Sequence, residues 1–232
     1  MPFFIKNFFS NILKLVKPSI SSEKISEILL LENWNFENIY PISRKIFSDA
    51  KSHKILNNNN LEENFVKNFL LKNNKFSILP KLSQISFAEI NTYLQNILLR
   101  DADQMGMAHT LEIRVPFLDH KLIENVFGIS DEFKFPHTPK KLLTDSFENL
   151  IPKEIINRQK MGFVLPYEKW LKNEIFDFAN SKIINLSKQG FFNEKSIKSL
   201  WKNFLKNDKR VSWSRVWHLI VFQNILEKNK IF

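Results

Sequence analysis

Two segments hold side chains that could do chemistry. The first runs from Arg100 to His120 and places Asp101, Asp103, Glu112, Arg114 and Asp119 among Met, Ala, Leu, Val, Pro and Phe. Charges set among apolar neighbours must be paired with one another or held ready for a ligand. The spacing therefore allows two readings: a buried Arg–carboxylate network that only holds the fold, or a polar site. The second segment, Arg158 to Pro166, sets Arg158 and Lys160 beside Gly162, ahead of a proline. A lysine on a glycine-containing loop can swing a point charge onto a phosphate oxygen. The alternative is an exposed lysine after a helix. No other nucleophile or metal pattern stands out. His53, His109, His120, His137 and His218 make no pair at metal-ligand spacing, and no Ser sits in a Gly-x-Ser-x-Gly elbow.

Composition narrows the chemistry further. The 232 residues contain no cysteine, which excludes disulfides, thiolate metal sites and a cysteine nucleophile within this sequence. Its 4 glycines, Gly106, Gly128, Gly162 and Gly190, lie too far apart to write a glycine-rich phosphate loop. The formal net charge is +10. A basic chain can bind nucleic acid or an anionic membrane through charge alone. Lysine supplies nearly all of that charge, however, and it is scattered, whereas base recognition leans on arginine. A solvated lysine-rich surface is the simpler reading. No apolar run approaches the ~20 residues of a membrane span. Phe4, Phe8, Phe9, Ile12, Leu13, Leu15 and Val16 recur at helical spacing with Lys6, Lys14 and Lys17 between them. This pattern suits a helix docked on protein and, less well, one lying on a membrane. Nothing resembles an export signal, so the cytoplasm is the expected location.

The elements that must position the two segments read as helices almost throughout. A first helix should end near Pro18. A second should be capped by Ser21 or Ser22 and run to Leu31, with Glu23 in its first turn. Helical patterns cover Ile42–Leu56, Leu61–Leu71 and, after Pro80, Leu82–Leu99; Asn57–Asn60 must be a turn or loop. Residues 101–119 lack a clean period and predict a buried, irregular connector, with one short strand candidate at Leu111–Val115. A helix should start at Asp119 and end near Gly128, another at Thr138-Pro139, and a short turn of helix after Pro152. Helices at Tyr167–Leu186, Ser196–Lys206 and Val211–Glu227 follow. Trp170, Trp201, Trp213 and Trp217 fall at helical spacing and should be core or helix-docking residues.

The stretch LLRDADQMGMAHTLEIRVPFLDHKLIE resembles the segment of the asparagine synthetase (glutamine-hydrolysing) family that reads roughly D-x-M-S-M-A-H-x-L-E-V-R-V-P-F-L-D-H. KKLLTDSFENLIPKEIINRQKMGFVLPYEKWLKNE resembles the later segment built around R-x-K-x-G-F. The likeness covers about residues 80–228, which divides the chain into a variable helical segment, 1–80, and a helical region of the family, 81–232. The resemblance implies a mainly α fold: the helical C-terminal part of the synthetase domain, an adenine-nucleotide-hydrolase-like α/β unit whose sheet is largely missing here. In the family, aspartate is activated by ATP as an acyl-adenylate, ammonia released from glutamine displaces AMP, and Mg2+ assists. By the resemblance, Lys160 matches the lysine at the phosphates that stabilises pyrophosphate departure. Arg114 also counts as catalytic. Asp103 and Glu112 match the segment lining the synthetase site, and Arg158 and Gly162 match the loop carrying the lysine; no metal ligand is assigned.

The family's Ser-Gly-Gly-x-Asp-Ser nucleotide loop, its acidic motif and its glutaminase cysteine have no counterpart in this sequence. The expected partner is therefore a missing N-terminal synthetase and glutaminase portion, from the same gene or a separate chain. Alone, this chain is expected to be inactive and to bind ATP weakly or not at all. The alternatives are a non-catalytic remnant, or a basic helical module for a membrane or nucleic acid.

Overall fold

The structure, a computed structural model, describes residues 2–57, 64–73, 76–134, 140–147, 150–162 and 165–230. The expected helix start at Thr138-Pro139, most of the Asn57–Asn60 run and Leu61 lie outside them. The chain is mainly α-helical. Among the described residues the β pairing is a single isolated antiparallel bridge, Leu56 to Phe192, and no helix is long and apolar enough to cross a membrane.

Two compact units form, one from residues 1–67 and 163–232, the other from 68–162. In the first, α1 (Phe3–Val16) packs on α2 (Ile20–Leu30). Serines make the close approach possible: Ser10, Ser22 and Ser26 are buried, and the Ser26 hydroxyl donates to the Ser10 carbonyl at 3.0 Å. The cap of α2 is Ser19, whose side chain accepts from the Ser22 amide, and not Ser21 or Ser22. Pro18 just before it already ends α1, so the capping position falls earlier than the serine pair suggests.

The expected helix over Ile42–Leu56 is two helices, α3 (Phe36–Arg44) and α4 (Asp49–Ile55). Ser48 caps α4 by accepting from the Lys51 amide, which competes with helix continuation. Asn64 marks the approach to α5 (Phe65–Lys72). The tail of the unit is α12 (Tyr167–Lys172), α13 (Phe176–Ser187), α14 (Glu194–Leu205) and α15 (Trp213–Lys228). Their apolar stripes bury Leu171, Ala179, Ile183, Leu186, Ile197, Trp201, Phe204, Val216 and Ile220 in one core with Ile55 and Phe192. Tyr167 stacks on Trp213 with ring centroids 4.6 Å apart, and Trp213 and Trp217 pack against the same core. The helix-docking role expected of these tryptophans therefore holds.

Arg215 lies inside this unit with each of its three guanidinium nitrogens engaged. Nε donates to the Ile46 carbonyl at 2.9 Å, Nη1 to the Arg210 carbonyl at 2.5 Å and Nη2 to Glu23 Oε2 at 2.8 Å. Lys51 completes the group, 2.6 Å from Glu23 Oε1. Burial lowers the Lys51 ammonium below the ordinary lysine value against the pull of Glu23, and the charges of Arg215 and Arg210 add to the lowering.

The second unit is organised by one long helical run. It comprises α6 (Lys81–Glu89), a π-helical stretch (Ile90–Leu99) and α7 (Arg100–Met107). The side chains of Asn91, Thr92 and Asn96 bond back to carbonyls one turn earlier: Thr92 Oγ1 donates to the Ala88 carbonyl at 2.5 Å and Asn96 to that of Thr92 at 2.9 Å. Such side chains loosen an α ladder into a wider turn. Phe76 and Ala88 are buried, and Phe87 packs against the rings of Phe69 and Phe76. A 3-10 turn (Pro116–Leu118), α8 (His120–Gly128), α9 (Asp131–Lys134), α10 (Lys141–Ser146) and α11 (Lys153–Ile156) complete the unit.

Candidate functional site

Three of the expected site residues, Asp103, Glu112 and Arg114, are carried by the end of α7 and the segment that follows it. Helix α7 ends in a tight reversal. The amides of His109 and Leu111 both donate to the Gly106 carbonyl at 2.9 Å, and Thr110 takes φ 58°, a left-handed value that costs a β-branched residue strain. The chain then folds back across Gly106. A Cβ placed there would lie 2.7 Å from the Leu111 carbonyl oxygen and 2.9 Å from Ile113 Cδ1. Glycine is thus required for the approach that fixes Glu112 and Arg114.

The buried, irregular connector expected at 101–119 is irregular only from residue 108, apart from the 3-10 turn, and it is not buried. Its first part is helix α7, and its charged residues are exposed. Arg114 donates from Nε to Glu112 Oε1 at 2.9 Å, with the two side chains 83% and 70% exposed. A neighbouring pair so open to water holds little fold energy, typically ~0–1 kcal/mol. Among the described residues Arg114 and Glu112 thus form no buried network; they pair with each other at the surface. Asp119 has a separate job, capping α8 by accepting from the amides of Lys121 and Leu122. The strand candidate Leu111–Val115 pairs with no other strand among the described residues.

Lys160, Arg158 and Gly162 lie in the exposed stretch after α11, with no regular structure over 159–162. The Arg158 amide still closes on the Ile155 carbonyl, at 3.4 Å. Among the described residues neither Arg158 nor Lys160 has a side-chain hydrogen bond or ion pair, and none joins them to Asp103, Glu112 or Arg114. The structure thus brings Arg114 and Glu112 into contact and leaves Asp103, Arg158 and Lys160 as separate exposed charges. Two unpaired cations on one short loop suit a phosphate chain. No group of three or more His, Asp or Glu able to hold a metal forms among the described residues.

Sequence reasoning missed one residue that organises this unit. Asp131 accepts from the amides of Leu82 and Ser83 at 2.8 and 3.2 Å and from the Ser83 hydroxyl at 2.6 Å, closing the start of α6 from 48 residues away. Lys134 Nζ stands 3.5 Å from the same carboxylate. Burial pushes the Asp131 carboxyl up, but the Ser83 and Leu82 donors and Lys134 outweigh it and hold it below the usual value. No local pattern could have announced it, because the acceptor and its donors are remote in sequence.

The asparagine synthase family profile matches residues 17–227. The chain belongs to the asparagine synthase family. Asparagine synthetase [glutamine-hydrolyzing] 1 of Bacillus subtilis (strain 168) is 28% identical over 182 residues, 77% of this chain and 28% of the relative. Asparagine synthetase [glutamine-hydrolyzing] 3 of the same organism is 36% identical over 87 residues, 37% of this chain and 13% of the relative. The human asparagine synthetase [glutamine-hydrolyzing] is 46% identical over 66 residues, 27% of this chain and 12% of the relative. The matched regions thus span less than a third of these asparagine synthetases. No solved structure matches the chain. Both motif segments lie within the stretch matched to the family, so the mainly α architecture belongs to a family member.

Proposed function

We propose that this chain is the C-terminal part of the synthetase domain of an ATP-dependent, asparagine synthetase-like amidotransferase, and that it works only with the portion carrying the nucleotide loop, acidic motif and glutaminase. The observation that supports this most is the unpaired pair of cations, Arg158 and Lys160, on the loop of a family member. In this reading the aspartate carboxylate attacks the α-phosphorus of ATP, pyrophosphate leaves, and ammonia from glutamine displaces AMP. Lys160 places its ammonium on the departing pyrophosphate, where negative charge grows in the transition state. Arg158 adds charge to the same loop, and Gly162 lets the loop close. Arg114, oriented by Glu112, faces the substrate anion, with Asp103 lining the same site. No step is assigned to Mg2+ on this chain's residues. The expected setting is the cytoplasm.

The test is aspartate-dependent pyrophosphate release by this chain assembled with that portion. Lys160→Ala should abolish release while leaving assembly intact. Release that survives the substitution would overturn the role of Lys160. ATP binding by the chain alone that Lys160→Ala removes would overturn the need for a second portion.

A further inference from the structure

A cleft of ≈ 560 Å3 opens in the unit formed by residues 1–67 and 163–232, at the end of α1, the start of α2, α4 and α14. Its volume is that of an ordinary small-ligand site. Its charges are of two kinds. Glu23 and Asp208 are matched within the protein: Glu23 by Arg215 and Lys51, and Asp208 by a two-pronged contact from Arg210, whose Nη2 lies 2.6 Å from Oδ2. Arg210 holds the Asp208 carboxyl down at about 2, so this acid stays matched to its arginine at neutral pH.

Lys14, Lys54 and Lys195 line the same cleft and have no ion pair among the described residues. Three positive charges around one concavity repel each other, and low-dielectric walls focus their field into it. Ile55 and Leu200 form a buried apolar floor, and the side chains of Ser199 and Asn203, also lining the cleft, make no hydrogen bond among the described residues. The cleft therefore offers three unmatched ammonium groups, a free hydroxyl and a free amide.

We infer that this cleft is a binding site for a compact polyanion of the oligophosphate class, separate from the Lys160 loop. Lysines bind phosphate as point charges without demanding a fixed plane, and at least three negative charges are needed to match them. The neutralised Glu23 and Asp208 do not repel such a ligand as free carboxylates would. No member of this cleft belongs to the motif segments, and the inference does not depend on the proposed synthetase role.

The probe is inorganic tripolyphosphate, titrated into the full chain by calorimetry at several salt concentrations. Saturable one-to-one binding that weakens as salt rises is expected. Lys14→Gln/Lys54→Gln/Lys195→Gln should weaken it about tenfold or more, since each removes one attractive charge from the ligand. Lys54→Glu alone should weaken it more than Lys54→Gln. A control with equal charge loss at exposed positions, Lys121→Gln/Lys153→Gln/Lys228→Gln, should bind as the parent does. Absence of saturable binding, or a cleft triple variant that binds no more weakly than the surface control, would each overturn the inference.

Discussion

Arg215 is 2% exposed and satisfies two backbone carbonyls and a carboxylate across long stretches of chain. Replacing it with Met keeps the volume but strands those acceptors and leaves Glu23 with Lys51 alone. Breaking one partner out of a buried charge group costs about 3 kcal/mol, so Arg215→Met should lower the denaturation midpoint strongly, as read by urea unfolding. An unchanged midpoint would mean the group is not buried in solution. Two other carboxylates set an acid limit. Asp208 lies at about 2 through Arg210, and Glu227 at about 2 through Gln223 and Lys182. Both are depressed in the folded chain, so their stabilisation is full above the ordinary values of 3.8 and 4.5. It is lost as pH falls from there through about 2. Acid titration of the unfolding midpoint should fall across that window, and Glu227→Gln should flatten part of the fall. The charges near Arg114 were legible from the sequence as residues that could do chemistry. Their exposure was not, because burial depends on what the rest of the chain brings near.

At the scale of elements, the presence and order of helices were readable from period, while helix type, breaks and caps were set by contacts that period does not encode. The π-helical stretch comes from Asn91, Thr92 and Asn96 bonding backwards, and α6 starts on a carboxylate borrowed from α9. Asp131→Ala should therefore cost about 1–2 kcal/mol by removing a cap, checked by thermal unfolding; a change below error would show that water replaces it. Gly106 sets the other end of the run. A methyl group there meets the Leu111 carbonyl at 2.7 Å, so Gly106→Ala should cost about 1–3 kcal/mol through overpacking and displace Glu112 and Arg114. Hydrogen exchange at residues 108–114 should rise in that variant and stay unchanged at α13. Nothing along the sequence pointed to it, because residues 101–119 show no clean helical period in which a lone glycine would stand out.

Across the whole molecule, the family could be read from two long motifs, and the mainly α architecture follows from that family region. The two units interleave in sequence, 1–67 joining 163–232, which no pattern along the chain reveals. Much apolar surface stays open around the candidate site: Met105, Met107, Leu111, Ile113, Val115 and Phe117 are each more than 40% exposed. Surface of this kind marks a protein interface or an association hazard. Under the proposed function, the portion carrying the nucleotide loop covers it. A dye sensitive to apolar surface should therefore fluoresce with the chain alone and lose signal on assembly; a signal that assembly does not change would argue for another partner. The central claim is that Lys160 works on the pyrophosphate of ATP within an assembled synthetase. The measurement that tests it most directly is aspartate-dependent pyrophosphate release by the assembled protein, with and without Lys160→Ala. Release that requires aspartate and vanishes in the variant is the predicted result. No release from the assembled parent, or equal release from parent and variant, would contradict the account.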